Sequence, residues 1–385
     1  MFDIPRAARA LLPEWRWNAI FRLRARRSSS VVEQLIRNQQ VAGSIPAFGS
    51  ACEPQILKTK IMLLNKTRSF LCSLCVLPIL LSATAPAASA STNWNQIFPA
   101  LSPPARSYLA MAYDKASKKI VVFGGFDGRE YLQDTWTFDG ATWEKVETTV
   151  TPPARTNTQM AYDHRTRKIV LFGGYDGQKD LGDTWLWDGA TLTWTQAAPA
   201  HSPKAVTGPM VFTDLNGRVD VFGGFSGNLY ENTMWQWSGS DWRQLHPAQL
   251  PYARSSSAVG VDNRSKQIVL YGGLADVNPL NTWTYDGTTW MMESPAAQPL
   301  TVYGSAAAFE PNLDSVILFG GADGGVDQNT TWSWTGSNWE QLFPAQSPPA
   351  REGFGMAYDT VLGRMVIFGG QTHEAPLGDT WELLP

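Results

Sequence analysis

The chain has 385 residues and a net charge of −3, room for two or three ordinary domains or one large β domain. The charge divides unevenly: residues 1–90 hold 12 Lys and Arg against 4 Asp and Glu, and residues 91–385 hold 19 against 30. An acidic larger part speaks against a nucleic-acid partner, which needs a basic face. All three cysteines lie upstream of residue 91, so the remainder has no disulfide to hold it.

Residues 62–90 read as a secretory signal. Asn65-Lys66-Thr67-Arg68 is its basic start, FLCSLCVLPILL (70–81) its short apolar run, and Ala88-Ser89-Ala90 its small-x-small cleavage site. The run is too short to span a bilayer. Cys72 and Cys75 lack the preceding small residue of a lipoprotein signal. Cleavage before Ser91, without a lasting membrane anchor, is therefore expected. The 61 residues ahead of Met62 do not fit such a signal. SSVVEQ (29–34) back-translates as AGC-TCA-GTG-GTA-GAG-CAG, which resembles the D-arm of a transfer RNA gene, and GSIP (43–46) as GGT-TCG-ATT-CCC, which resembles its T-arm. Residues 1–61 are thus read as spurious upstream translation and as disordered, the alternative being a genuine basic extension.

From residue 91 onward one pattern governs the sequence. KIVVFGGFDG (119–128) returns as KIVLFGGYDG (168–177). The glycine pair appears at Gly124-Gly125, Gly173-Gly174, Gly223-Gly224, Gly272-Gly273, Gly320-Gly321 and Gly369-Gly370, in steps of 49, 50, 49, 48 and 49 residues. A tryptophan follows each pair (Trp136, Trp185, Trp235, Trp283, Trp332, Trp381), and a second comes after it at Trp143, Trp194, Trp242, Trp290 and Trp339. A fixed period of this length decides the architecture before any single motif does. The first unit reads as four strands, 106–114, 119–125, 134–139 and 142–147, with an Asp139-Gly140 turn between the last two. No segment keeps a 3.6-residue apolar period, so helix is nearly absent. The run IVVF does not alternate and must be covered on both faces. Six small sheets set radially give every sheet two neighbours. The sixth unit ends after its third strand, and WNQIFPALSPPAR (94–106) matches WEQLFPAQSPPAR (339–351) at 10 of 13 positions. Trp94 to Phe98 should therefore supply the missing strand beside residues 379–384. The expectation is an all-β, six-bladed propeller over residues 91–385, closed by the first strand of the mature chain.

Gly-Gly, the spaced tryptophans and the fifty-residue period resemble kelch repeats, also found in the central propeller of galactose oxidase, here of an exported bacterial type. The resemblance covers roughly 94–385 and implies the propeller fold. The copper radical chemistry of the oxidase needs a thioether-linked cysteine, which residues 91–385 lack.

Histidines at 164, 201, 246 and 373 share no metal-like spacing, so neither a zinc centre nor any cofactor is expected. No nucleophile elbow or phosphate loop occurs. Arg106, Arg155, Arg254 and Arg351 recur at the start of strand one, with Val206 and Val302 in the other two units. Two roles are open to them: cations at the channel mouth for a carboxylate or acidic sugar, or internal bonds to loop carbonyls between blades, which their place in the repeat favours. The loops joining strands two and three vary most. Tyr131 and Tyr230 in them, and Glu352 by the channel, complete the ligand-binding candidates. Asp127-x-x-Glu130 is a weak calcium match. No catalytic set stands out. The sequence is read as a monomeric, secreted or periplasmic binding module for a protein, peptide or glycan, the alternative being a carbohydrate-active enzyme such as a sialic-acid mutarotase. Peptide mass mapping of the native protein should find Ser91 as the first residue. Peptides from residues 1–61 would overturn the reading of the upstream segment.

Overall fold

The computed structural model describes residues 92–277 and 279–385. The upstream translation and signal segments expected from the sequence lie outside the described residues. Those described form strands and turns without a helix.

Six four-stranded antiparallel sheets form the blades of a propeller. Blade one runs through Ala110–Asp114, Lys119–Phe123, Thr135–Phe138 and Trp143–Val146. Blades two to five repeat this order from inner to outer strand. Blade six takes its three inner strands from Gly355–Asp359, Arg364–Phe368 and Thr380–Leu384. Its outer strand is Asn93–Ile97, antiparallel to Thr380–Leu384, with Trp94 opposite Leu383.

The second strands explain the radial packing. Ile120–Phe123, Ile169–Phe172, Val316–Phe319 and Met365–Phe368 are wholly buried, side chains on both faces of the sheet included. Each blade meets two neighbours, and six apolar clusters fill the six junctions. One joins Val121 and Phe123 of blade one to Ile169, Leu171 and Trp194 of blade two. Another joins Ile120 and Val122 to Val366 and Phe368 of blade six, closing the circle.

The outer tryptophans tie these junctions. Trp194 of blade two donates its indole N–H to Thr135 Oγ1 of blade one at 2.9 Å, and Trp242 of blade three to Thr184 of blade two at 2.8 Å. Trp339 reaches Thr282, Trp143 reaches Thr380, and Trp94 reaches Thr331. At the remaining junction Trp290 meets Met234 Sδ at 3.4 Å, because blade three carries Met where the others carry Thr. A buried indole is stabilised by such a partner, which the N–H groups of Trp187, Trp235, Trp237 and Trp334 lack. Removing one from water gains about 4–6 kcal/mol at most before entropy is counted.

The glycine pairs have a more specific task than a tight turn. The N–H of Gly125 donates to Arg155 O of the next blade at 2.9 Å, and Gly174, Gly321 and Gly370 donate likewise to Val206, Arg351 and Arg106. A Cβ on Gly124 would stand 2.7 Å from Arg155 O, and one on Gly223 2.5 Å from Arg254 O. Both glycines of each pair hold positive φ, which other residues adopt at a cost.

Trp94→Ala should cost about 3–5 kcal/mol in a denaturant titration, because it empties the junction that the N-terminal strand closes. Phe98→Ala, at a side chain 81% exposed, should stay within about 0.5 kcal/mol of the parent. Equal effects would show that the strand does not clamp the ring.

Candidate ligand-binding face

In each blade the loop after strand two bridges to the residue that follows the recurrent Arg or Val, and among the described residues it returns as a small hairpin in all but blade four. Ser107 pairs with Phe126, Thr156 with Tyr175, Thr207 with Phe225, and Glu352 with Gln371. Ser255 pairs with Leu274, and Tyr303 with Ala322. These six loops form one face, the hairpin face.

The four recurrent arginines lie beneath it and are wholly buried. Arg106 grips Asp134 through both terminal nitrogens at 2.6 and 3.0 Å and donates to Pro104 O and Gly124 O. Arg155 holds Asp183, Pro153 O and Gly173 O in the same way. Arg351 holds Asp379, Pro349 O and Gly369 O. These guanidinium groups spend their donors on carboxylates and carbonyls of their own blade, and none is offered to the channel mouth. The same carboxylates accept the indole N–H of Trp136, Trp185 and Trp381. Sequence reasoning missed Asp134, Asp183 and Asp379. Each follows its Arg by 28 positions, and the units that lack the Arg also lack the Asp.

Burial alone would raise these three carboxyls. The Arg beside each outweighs it and holds them below the ordinary carboxylate range. Blade four departs: Arg254 faces Asn281 Oδ1 at 2.9 Å, and its Nη2 is buried without a partner. With no carboxylate to offset burial, its pKa falls to about 10.

Above this layer runs a belt of backbone hydrogen bonds. Asn157 N–H donates to Tyr108 O, Gly208 to Asn157, Ser256 to Gly208, Gly304 to Ser256, Gly353 to Gly304, and Tyr108 to Gly353. All six residues have positive φ, between 50° and 70°. The circle is asymmetric in its side chains. A Cβ on Gly353 would strike the Tyr108 ring at 2.8 Å, and one on Gly304 would strike Glu352. Tyr108, in the belt on blade one, therefore gathers with Tyr303 and Glu352, which precede the belt on blades five and six where the other four blades carry Ser or Thr. Glu352 is 8% exposed. Its Oε1 accepts from Gln371 Nε2 at 2.9 Å, and the Tyr108 hydroxyl is turned to the same carboxyl. Burial pushes the Glu352 carboxyl up, as it does the Tyr108 and Tyr303 hydroxyls.

The hairpin tips touch from blade to blade. Gly128 of blade one meets Pro376 of blade six, and Gly177 of blade two meets the Tyr131 ring. Tyr131 also lies 5.1 Å from Phe126 and 6.0 Å from Tyr175, and Tyr230 lies 5.0 Å from Phe225. Both tyrosines are thus half-buried parts of an aromatic rim. Asp127 Oδ1 accepts the N–H groups of Arg129 and Glu130, which turns it into its own loop rather than toward a cation. Among the described residues no group of three or more His, Cys, Asp or Glu could hold a metal.

Folded carboxyls that titrate below their unfolded value stabilise the fold above about pH 4 and lose that contribution as pH falls further. Asp134→Asn should therefore cost about 3 kcal/mol at pH 7, the low end for a broken buried pair because the carboxylate keeps some water. The deficit should shrink toward pH 3. Asn281→Asp should gain stability at pH 7 and not at pH 3. Urea titrations at the two pH values read both effects, and a pH-independent deficit would overturn the clasp account.

The family model described as the KLHDC2/KLHL20/DRC7 Kelch-repeats domain matches residues 88–273. No curated protein matches the chain. That match runs through the first three blades and into the fourth, and the same blade, with its glycine pair and outer tryptophan, recurs to the end of the ring, so the family match and the six-bladed fold together support a kelch-repeat β-propeller.

Proposed function

We propose that this propeller works outside the cytoplasm as a monomeric binding module that takes a protein or peptide across its hairpin face. Kelch propellers in general suggest protein-interaction modules. One observation carries the reading: six loops of unlike sequence, five of them hairpins, stand on a repeated base of glycine junctions. Rigid support beneath variable loops is the arrangement that concentrates binding residues. The aromatic rim of Phe126, Tyr131, Tyr175, Phe225 and Tyr230 offers flat apolar surface with polar edges, the composition that anchors peptide contacts. The signal-like segment at 62–90 supports the location.

A second reading has its own observation. Glu352, Gln371, Tyr108 and Tyr303 place a buried acid, an amide and two phenols on one side of the belt, a set that suits a sugar ring. The arginines no longer support it, since their charge is spent within the blades.

Selection of displayed peptides on the purified protein should yield binders whose capture falls at least tenfold when Tyr131 and Tyr230 are both replaced by Ala. Binders indifferent to that change would remove the hairpin face from the proposal. Thermal stabilisation by sialic acid that is lost in Glu352→Gln would favour the sugar reading instead.

A further inference from the structure

Blade three breaks the repeat at three positions that lie side by side. Its second strand, Val219–Phe222, carries Asp220 where the other blades carry Val or Ile. Its third strand, Met234–Trp237, carries Gln236. Its outer strand, Trp242–Leu245, carries Arg243 where blade one carries Glu144. Asp220 is paired with Gln236, and Gln236 with Arg243, in one row across the sheet.

In blade one the corresponding outer charges attract: Lys119 Nζ lies 3.1 Å from Glu144 Oε2. Arg218 stands where Lys119 does, so blade three sets two guanidinium groups in the place of that ion pair. Both converge on a neutral amide. Arg218 Nη1 donates to Gln236 Oε1 at 2.7 Å and Arg243 Nη2 to the same oxygen at 3.3 Å. The Gln236 amide group donates to Asp214 Oδ2 and Asp220 Oδ1. Asp214 spends its other oxygen on the N–H groups of Asn216 and Arg218. Asp220 Oδ2 is buried without a partner. Burial first, and Asp214 second, hold the Asp220 carboxyl well above the usual range. Asp286, in the neighbouring hairpin, is turned to Thr288 and Thr289.

The two arginines line a cleft of about 690 Å³ with Arg165 of blade two, Asp214, His246, and Tyr285 and Thr288 of blade four, three guanidinium groups against one carboxyl. Arg165 and Arg243 are exposed. Two like charges fixed on one acceptor repel each other, and an anion placed between their remaining donors relieves that repulsion while accepting forked hydrogen bonds. The volume is that of a metabolite-sized site.

We propose that this cleft is a second binding site, separate from the hairpin face, and that it takes an oxyanion, a carboxylate or phosphate group of a small molecule, between Arg218 and Arg243. Calorimetric titration of the purified protein at low salt with inorganic phosphate and, separately, with tricarballylate distinguishes the two sources. At least one should bind, and added salt should weaken it. Arg243→Glu restores the charge pattern of blade one and should weaken binding at least tenfold while the protein stays folded. Arg218→Gln, which keeps a hydrogen-bond donor, should weaken it similarly and guards against a folding artefact in the first variant. Absence of binding by both anions, or unchanged affinity in both variants, would overturn the site.

Discussion

The ring depends on one close approach of backbone to backbone. The second glycine of each pair donates its N–H to the carbonyl that opens the next blade, and the first leaves no room for a Cβ against that same carbonyl. A hydrogen bond of this kind contributes only about 1 kcal/mol net. Its weight lies in repetition and geometry. Each junction sets the distance and angle at which the apolar strands of two blades meet, and six junctions must agree for the ring to close. A side chain at one glycine would open its junction and misplace the Trp–Thr tie at the same boundary.

Much of this architecture is written locally. Non-alternating strands, Asp-Gly turns and a fifty-residue period specify small sheets that need cover on both faces, and a ring satisfies them all. The Asn93–Ile97 strand was legible because it repeats the sequence of the outer strand of blade five. The exact task of the glycines was not, since a permissive φ and a close contact leave the same residue in the sequence. Only the position of Arg155 O, some thirty residues further along the chain, separates the two.

The site was legible in part. The arginines are visible in sequence as a ring of cations, yet a positive charge reads as ligand-binding or as structural according to what faces it. Asp134, Asp183 and Asp379 decide the matter, and each belongs to the third strand of its own blade. Both are absent from blades three and five, both are present in blades one, two and six, and blade four keeps the Arg with Asn281 opposite it, an internal covariation that six copies of one unit make available. Tyr108 was hidden for a different reason. It occupies a belt position that Gly fills in three other blades, so nothing in its local sequence marks it as the residue that crowds Glu352.

A repeat protein therefore advertises its sites by departing from itself. Positions that all six blades share are occupied by the glycine junctions and the outer tryptophans, and a ligand cannot engage them without prising blades apart. Positions that differ are free to be chosen for something other than the fold. Asp134 belongs to neither extreme and is structural because its carboxylate is spent on Arg106 and Trp136, whereas Glu352 and Arg243 stand out although their neighbours are ordinary. The two departures are also of different kinds. Around Glu352 the blades replace small polar residues by large ones and fill the channel mouth from one side. Around Arg243 a blade replaces an attractive pair by a repulsive one and leaves the cleft above it open. The first shapes a surface with large side chains. The second sets two guanidinium groups side by side on one amide oxygen, a local repulsion that an anion between them would relieve.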